Sequence, residues 1–232
     1  MNIITPIIDP SVLSTLTRIE CTMYTSVLGH NNYQQEQLPV VVLHQSDSIS
    51  YPDYNFISLV QGPFHLVRLT NARPDRLANV AYQFAHELCH AWIGLGASNA
   101  LVEVICECAS WYFSKCIQDQ CQIQYHESLK YLYRDVLELN EVGRISIPRN
   151  RIANHETDGR NAMLRLACIH IVPWLHNNQG FWRMLPQLGI AMANPPGDDW
   201  NEGFDLAAIR NLLSATEGEM FVDLVNQHAE FT

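Results

Sequence analysis

The pentapeptide His86-Glu87-Leu88-Cys89-His90 constrains this chain more than any other stretch of its 232 residues. Its flanks read as one helix. Asn71 or the residues before Pro74 can start it, since proline suits a first helical position. Leu77, Val80, Ala81, Phe84, Ala85, Leu88 and Cys89 then recur at helical spacing, and Gly94 and Gly96 supply the stop. Residues four apart on a helix lie one above the other, so His86 and His90 share a face and can bind one ion together. Glu87 stands beside the first histidine, where it can take a proton from a water at that ion. A surface helix with two solvated histidines would have a polar flank, and this flank is apolar. Two imidazoles, a carboxylate base and an open coordination position are the parts of a zinc hydrolase.

Such a site needs a third protein ligand, and the next helix offers one. Ser98 or Asn99 is a natural cap, and Leu101, Val104, Ile105, Cys108, Trp111 and Tyr112 form its core stripe. Glu103 and Glu107 lie four apart on it. Stacked carboxylates on an otherwise apolar helix repel each other unless a cation or donors sit between them. No other charge occurs between Ala100 and Phe113. The cysteines Cys89, Cys106, Cys108, Cys116 and Cys121 contain no C-x-x-C pair. All but Cys121 fit core spacing, so they are expected to act as small hydrophobes, not as a thiolate cluster.

An HExxH helix followed by a helix carrying Glu-x-x-x-Asp/Glu resembles the gluzincin metallopeptidases, of the thermolysin and aminopeptidase type. The resemblance covers Phe64 to about Phe113. It implies Glu103 as the third zinc ligand and Glu107 as an acid behind the ligands that orients a histidine. Two features depart from the family. Only twelve residues separate His90 from Glu103, and the second acid is Glu where thermolysin-like enzymes have Asp. A slightly longer connection makes Glu107 the ligand instead, so both stay candidates. The metzincin type needs a third histidine soon after a glycine, and the segment after His90 has none. A deformylase takes a cysteine ligand from upstream, where only Cys21 occurs, in the wrong setting. Two histidines and a carboxylate also suit non-haem iron, but the helical spacing around a glutamate base favours Zn2+.

The resemblance also implies a fold: an α+β, zincin-like chain with a small antiparallel or mixed sheet, an HExxH helix and a mostly helical lower lobe. Residues 38–44, 54–60 and 64–70 read as strands, with a turn at Gly62-Pro63. If the last strand presents an edge, the backbone of 66–70 binds an extended substrate by strand addition; otherwise it is sheet scaffolding. Downstream, 123–139 reads as an amphipathic helix with Tyr131, Leu132, Val136 and Leu137 on its apolar side. A loop around Pro148 follows, then a helix over 161–176 interrupted by Pro173, and helices over 204–213 and 217–228. Residues 194–199 read as a surface turn. The expected division is a catalytic lobe at 1–120 and a helical lobe at 121–232, packed as one unit. An oxyanion donor is sought in His155, Tyr131 or Tyr133. His170 and His176 read as core or boundary residues.

Composition sets outer limits. With 47% hydrophobic residues the chain can bury a substantial core, and a net charge of -10 argues against a nucleic-acid partner. No stretch is apolar enough to span a bilayer, the N-terminus lacks a signal-peptide pattern, and seven cysteines without framework spacing suit a reducing, cytoplasmic setting. The expectation is a zinc metallopeptidase acting on a peptide or protein substrate. The alternative is a zincin-fold protein without catalysis that uses metal structurally and binds a peptide or partner. The presence of Glu87 weighs for the first, and the lack of an obvious oxyanion donor for the second.

Overall fold

Asp9 opens the first helix. Its carboxylate accepts from the Ser11 and Val12 amides at 2.9 and 3.2 Å, and Pro10 fills the first helical position, where an N–H would have no partner. Helix α1 (Pro10–Leu28) buries Val12, Leu16, Ile19, Met23 and Val27 along one stripe. The computed structural model describes residues 3–7, 9–29, 40–44, 52–59, 62–70, 72–94, 99–121, 124–138, 143–149, 152, 156–192, 206–212 and 215–232. These are mostly helical with small sheets, broadly α+β. The chain forms two compact units, one of Met1–Trp92 and Ala109–Tyr131, the other of Ile93–Cys108 and Leu132–Thr232. Residue 120, the expected boundary, lies inside a helix, α3 (Ala100–Cys121).

In the first unit, β1 (Ile3–Ile4), β2 (Val40–His44), β3 (Asp53–Leu59) and β4 (Gly62–Leu69) form one mixed sheet in the order β1-β2-β4-β3. β2 runs parallel to β1 and β4, and β3 is antiparallel to β4. Val40, Val42, Val67 and Leu69 are buried, with Val42 opposite Val67, which is the alternation of a half-buried strand. Two expectations are corrected here. Gly62 and Pro63 are strand residues, paired with Leu59 and Ser58, and not the turn expected there. β4 is also an inner strand: β2 and β3 occupy both of its sides along 66–68, so that stretch has no free edge to add a substrate strand.

A single 3-10 turn at Pro74–Arg76 leads into α2 (Leu77–Ile93), which ends at Gly94 with φ +93°. That backbone favours glycine, as the expected stop requires. Gln83 ties α2 to the end of β4: its Oε1 accepts from the Thr70 amide at 3.2 Å and its Nε2 donates to the Thr70 hydroxyl at 2.8 Å. Asn99 is the cap of α3, accepting from the Leu101 and Val102 amides at 3.0 Å each.

The helix expected over 123–139 is two helices, α4 (Tyr125–Leu132) and α5 (Arg134–Leu137), broken at Tyr133. α4 buries Tyr125 and Leu129, and the Tyr125 hydroxyl pairs with Thr15 Oγ1 of α1 at 2.9 Å. Tyr131 and Leu132, expected on the apolar side, are 76% and 56% exposed, because the buried stripe runs through 125 and 129 and leaves the end of the helix facing water.

In the second unit, the expected loop around Pro148 contains β5 (Ile145–Ile147), which pairs in parallel with the C-terminal β6 (Ala229–Phe231). Helix α6 (Thr157–Arg165) passes into a π-helical turn (Leu166–Ile171) and then α7 (Val172–Asn177), with Pro173 in the first turn of α7. The expected interruption is there, but Pro173 does not act alone: a wider turn precedes it. A 3-10 segment (Gln179–Met184), α8 (Leu185–Met192), α9 (Leu206–Leu212) and α10 (Ala215–His228) complete the unit. Phe181 packs edge-on against Trp174 and Trp182 and lies 5.0 Å from Phe221, ring centre to ring centre. The surface turn expected at 194–199 lies outside the described residues.

Gly218 marks a close approach of α10 to α9. A Cβ there would sit 2.3 Å from the Arg210 carbonyl oxygen, a backbone atom that moves only with its helix. Gly218→Ala is therefore expected to destabilise the fold by about 1–3 kcal/mol, read as a lower urea midpoint. An unchanged midpoint would mean that α9 and α10 part easily at this position.

Candidate metal centre

The Ser110 hydroxyl donates to the Tyr82 carbonyl at 3.0 Å, which fixes one level at which α3 lies against α2. One turn after Tyr82 comes His86, and one turn before Ser110 comes Cys106. His86, His90 and Cys106 each offer one ligand atom, and the three atoms lie within 4.8 Å of one another. The two imidazole rings stand 5.2 Å apart at 58°, one above the other along α2 as the i, i+4 spacing requires. Both histidines are half-buried and Cys106 is buried.

This donor set fits a metal ion. Tetrahedral ligation with metal–nitrogen and metal–sulfur bonds of about 2.1 and 2.3 Å separates ligand atoms by roughly 3.4–3.6 Å. The observed ceiling is 4.8 Å. A tetrahedral ion held by three protein ligands would keep one position open.

The remaining residues singled out in the sequence fall as follows. Glu87 is 4% exposed, on α2 beside His86. Glu103 is half-buried and Glu107 is 4% exposed; they stand three residues before and one after Cys106 on α3, and neither belongs to the trio. Cys106 is buried, as its core spacing predicts, but its sulfur lies with the two histidines. It is the site residue that sequence reasoning missed. Its signal is positional: Glu103, Cys106, Glu107 and Ser110 follow at i, i+3, i+4 and i+7, a single polar stripe on an apolar helix. His155 lies outside the described residues. Tyr131 is in solvent, and Tyr133 is half-buried at the break between α4 and α5.

Within the second unit, Cys168 of the π-helical turn bears on the same stretch of α3. Burial pushes its thiol well above the usual cysteine range, and the Glu107 carboxylate and Cys108 add to the effect. Cys168 is thereby held as a neutral thiol beside a buried carboxylate. Among the described residues no helix is long and apolar enough to cross a membrane. Comparison with known proteins finds no matching family model, no similar curated protein and no similar solved structure.

Proposed function

We propose that this chain is a zinc-dependent hydrolase of peptide bonds in which His86, His90 and Cys106 hold the ion and Glu87 is the general base. The observation that carries the reading is the convergence of the three ligand atoms beside a buried glutamate on an HExxH helix. A divalent ion held by such a set supplies Lewis acidity, polarising a carbonyl oxygen and making water acidic. The residues of the chain do the rest. α2 holds His86 and His90 on one face, so neither needs a large rearrangement to bind. α3 brings Cys106, whose soft thiolate favours zinc over magnesium, calcium or manganese. Glu87 accepts the proton of the attacking water and returns it to the leaving amine.

The peptide as substrate follows from the gluzincin resemblance of the two helices. On that reading Glu103 and Glu107 are acids flanking the thiolate ligand, with Glu103 the ligand of a purely gluzincin-like site. A thiol ligand also suits a reducing compartment, the cytoplasm, where it stays unoxidised.

Metal analysis joined to a peptide assay tests this. Purified protein is expected to carry about one zinc per chain, to cleave quenched fluorescent peptides, to lose that activity to phenanthroline and to regain it with one equivalent of zinc. Protein purified without chelator that carries no metal would overturn the centre. Bound zinc with no turnover across a broad peptide library would favour the binding module over the enzyme.

A further inference from the structure

We propose that His170 and His228 form an acid-released latch that holds the C-terminal helix and strand against the π-helical turn. The two imidazole rings are stacked, with centres 3.8 Å apart and planes 12° from parallel. His170 lies within the π-helical turn, and His228 is the last residue of α10, immediately before β6. Both belong to the second unit, and neither is one of the three residues of the metal centre proposed above.

A stack this close accepts one proton more easily than two. A second proton on His170 would place two like charges ring to ring. The surroundings reinforce this. Arg165, from α6, also bears on His170, so both charges acting on that ring are cationic. Beyond His228, the Arg144 guanidinium donates to the Ala229 carbonyl and Arg149 donates to the Phe231 carbonyl at 3.4 Å. Among the described residues, the other charged groups and histidines on these elements are Asp158 and Arg160 of α6, His176 of α7, Arg210 of α9, Glu217, Glu219 and Asp223 of α10 and Glu230 of β6; all but the half-buried Glu217 are exposed and screened by water. Burial, then His228, then Arg165 hold the His170 ring below its ordinary value of 6.5.

The direction of the pH effect follows. The folded chain disfavours the proton on His170 and the unfolded chain does not, so the contact's stabilisation is complete above 6.5 and is lost as pH falls through the lowered native value. The first elements released are the end of α10 and β6, since His228 joins them. The π-turn suits such a role, because its hydrogen-bond ladder is already widened.

Hydrogen exchange on the full chain, with β6 amides corrected for intrinsic rates, reads this release. Between about pH 7.5 and about pH 5, the window of histidine titration, exchange at Ala229–Phe231 is expected to accelerate roughly tenfold or more. In His170→Phe and His228→Phe, which keep a flat ring without a titrating nitrogen, the acceleration is expected to fall to about twofold or less. His65 of β4 is also pushed down by burial, and both variants leave its contribution in place. Equal acceleration in wild type and variants, or none in wild type, would overturn the latch. Should either variant fold poorly, imidazole titration of the wild-type chain decides: a His170 value at or above 6.5 overturns it, and one well below sustains it.

Discussion

Replacing Glu87 by glutamine is expected to lower peptide hydrolysis by about 10²–10⁴-fold and to leave the metal content unchanged. The two side chains have nearly the same volume, and Glu87 is 4% exposed, so the variant keeps the packing of α2. What it loses is the ability to accept a proton. The deficit should appear in kcat, because the amide can still help to place the substrate but cannot activate the attacking water. Zinc per chain, kcat and the thermal midpoint, measured together, separate the possibilities. Full activity in Glu87→Gln would remove Glu87 from the mechanism. Loss of zinc with loss of activity would mean that Glu87 supports the metal site and not the chemistry. A silent wild type with intact zinc would leave the binding module as the better description.

Local physics made much of the fold legible in the sequence. β2, β3, β4 and α2 stand within a few residues of the segments expected from alternation and helical spacing, Gly94 ends α2 as its position suggests, and α3 starts at its expected cap but runs eight residues past Phe113. What was not legible depended on partners far along the chain. β5 looks like loop because three residues show little alternation, and it becomes a strand only when β6, more than eighty residues later, pairs with it. The inner position of β4 follows from β2 lying beside it, a long-range pairing that no local pattern encodes. α1 is a different case, since Asp9, Pro10 and the stripe from Val12 to Val27 are all local signals of a helix. The break of α4 at Tyr133 carries no glycine or proline to announce it.

The site divides in the same way. His86 and His90 are neighbours on one helix and were legible from spacing alone. The third ligand proposed here comes from another helix, and which residue of α3 stands beside the histidines is not a local property of the sequence. Contacts such as Ser110 to Tyr82 are likewise not announced by the sequence. Read without them, two glutamates on an apolar helix attract attention and a cysteine among apolar residues does not.

The order of metal affinities among three α3 variants settles which group ligates. Cys106→Ala is expected to weaken zinc binding by more than about 100-fold, since that is the upper end of what removing a partner behind the ligands costs and a direct ligand must exceed it. Glu103→Ala and Glu107→Ala are expected to stay within about 10–100-fold, as groups that orient ligands without touching the ion. Cobalt substitution adds an independent readout: a thiolate-to-metal charge-transfer band should appear in wild type and both glutamate variants and vanish in Cys106→Ala. Burial makes the cysteine variant informative as well, because Cys106 lies in the core and its truncation leaves a small cavity. Cys106→Ser nearly preserves the volume, and should fold while still losing the band. Zinc retained in both cysteine variants, with loss confined to Glu103→Ala, would return the site to the gluzincin pattern. Loss confined to Glu107→Ala would move the ligand one turn along α3. If only the cysteine variants lose the ion, the centre is a bis-histidine thiolate site built on an HExxH helix, and hydrolysis must be explained with a sulfur ligand in place of a carboxylate.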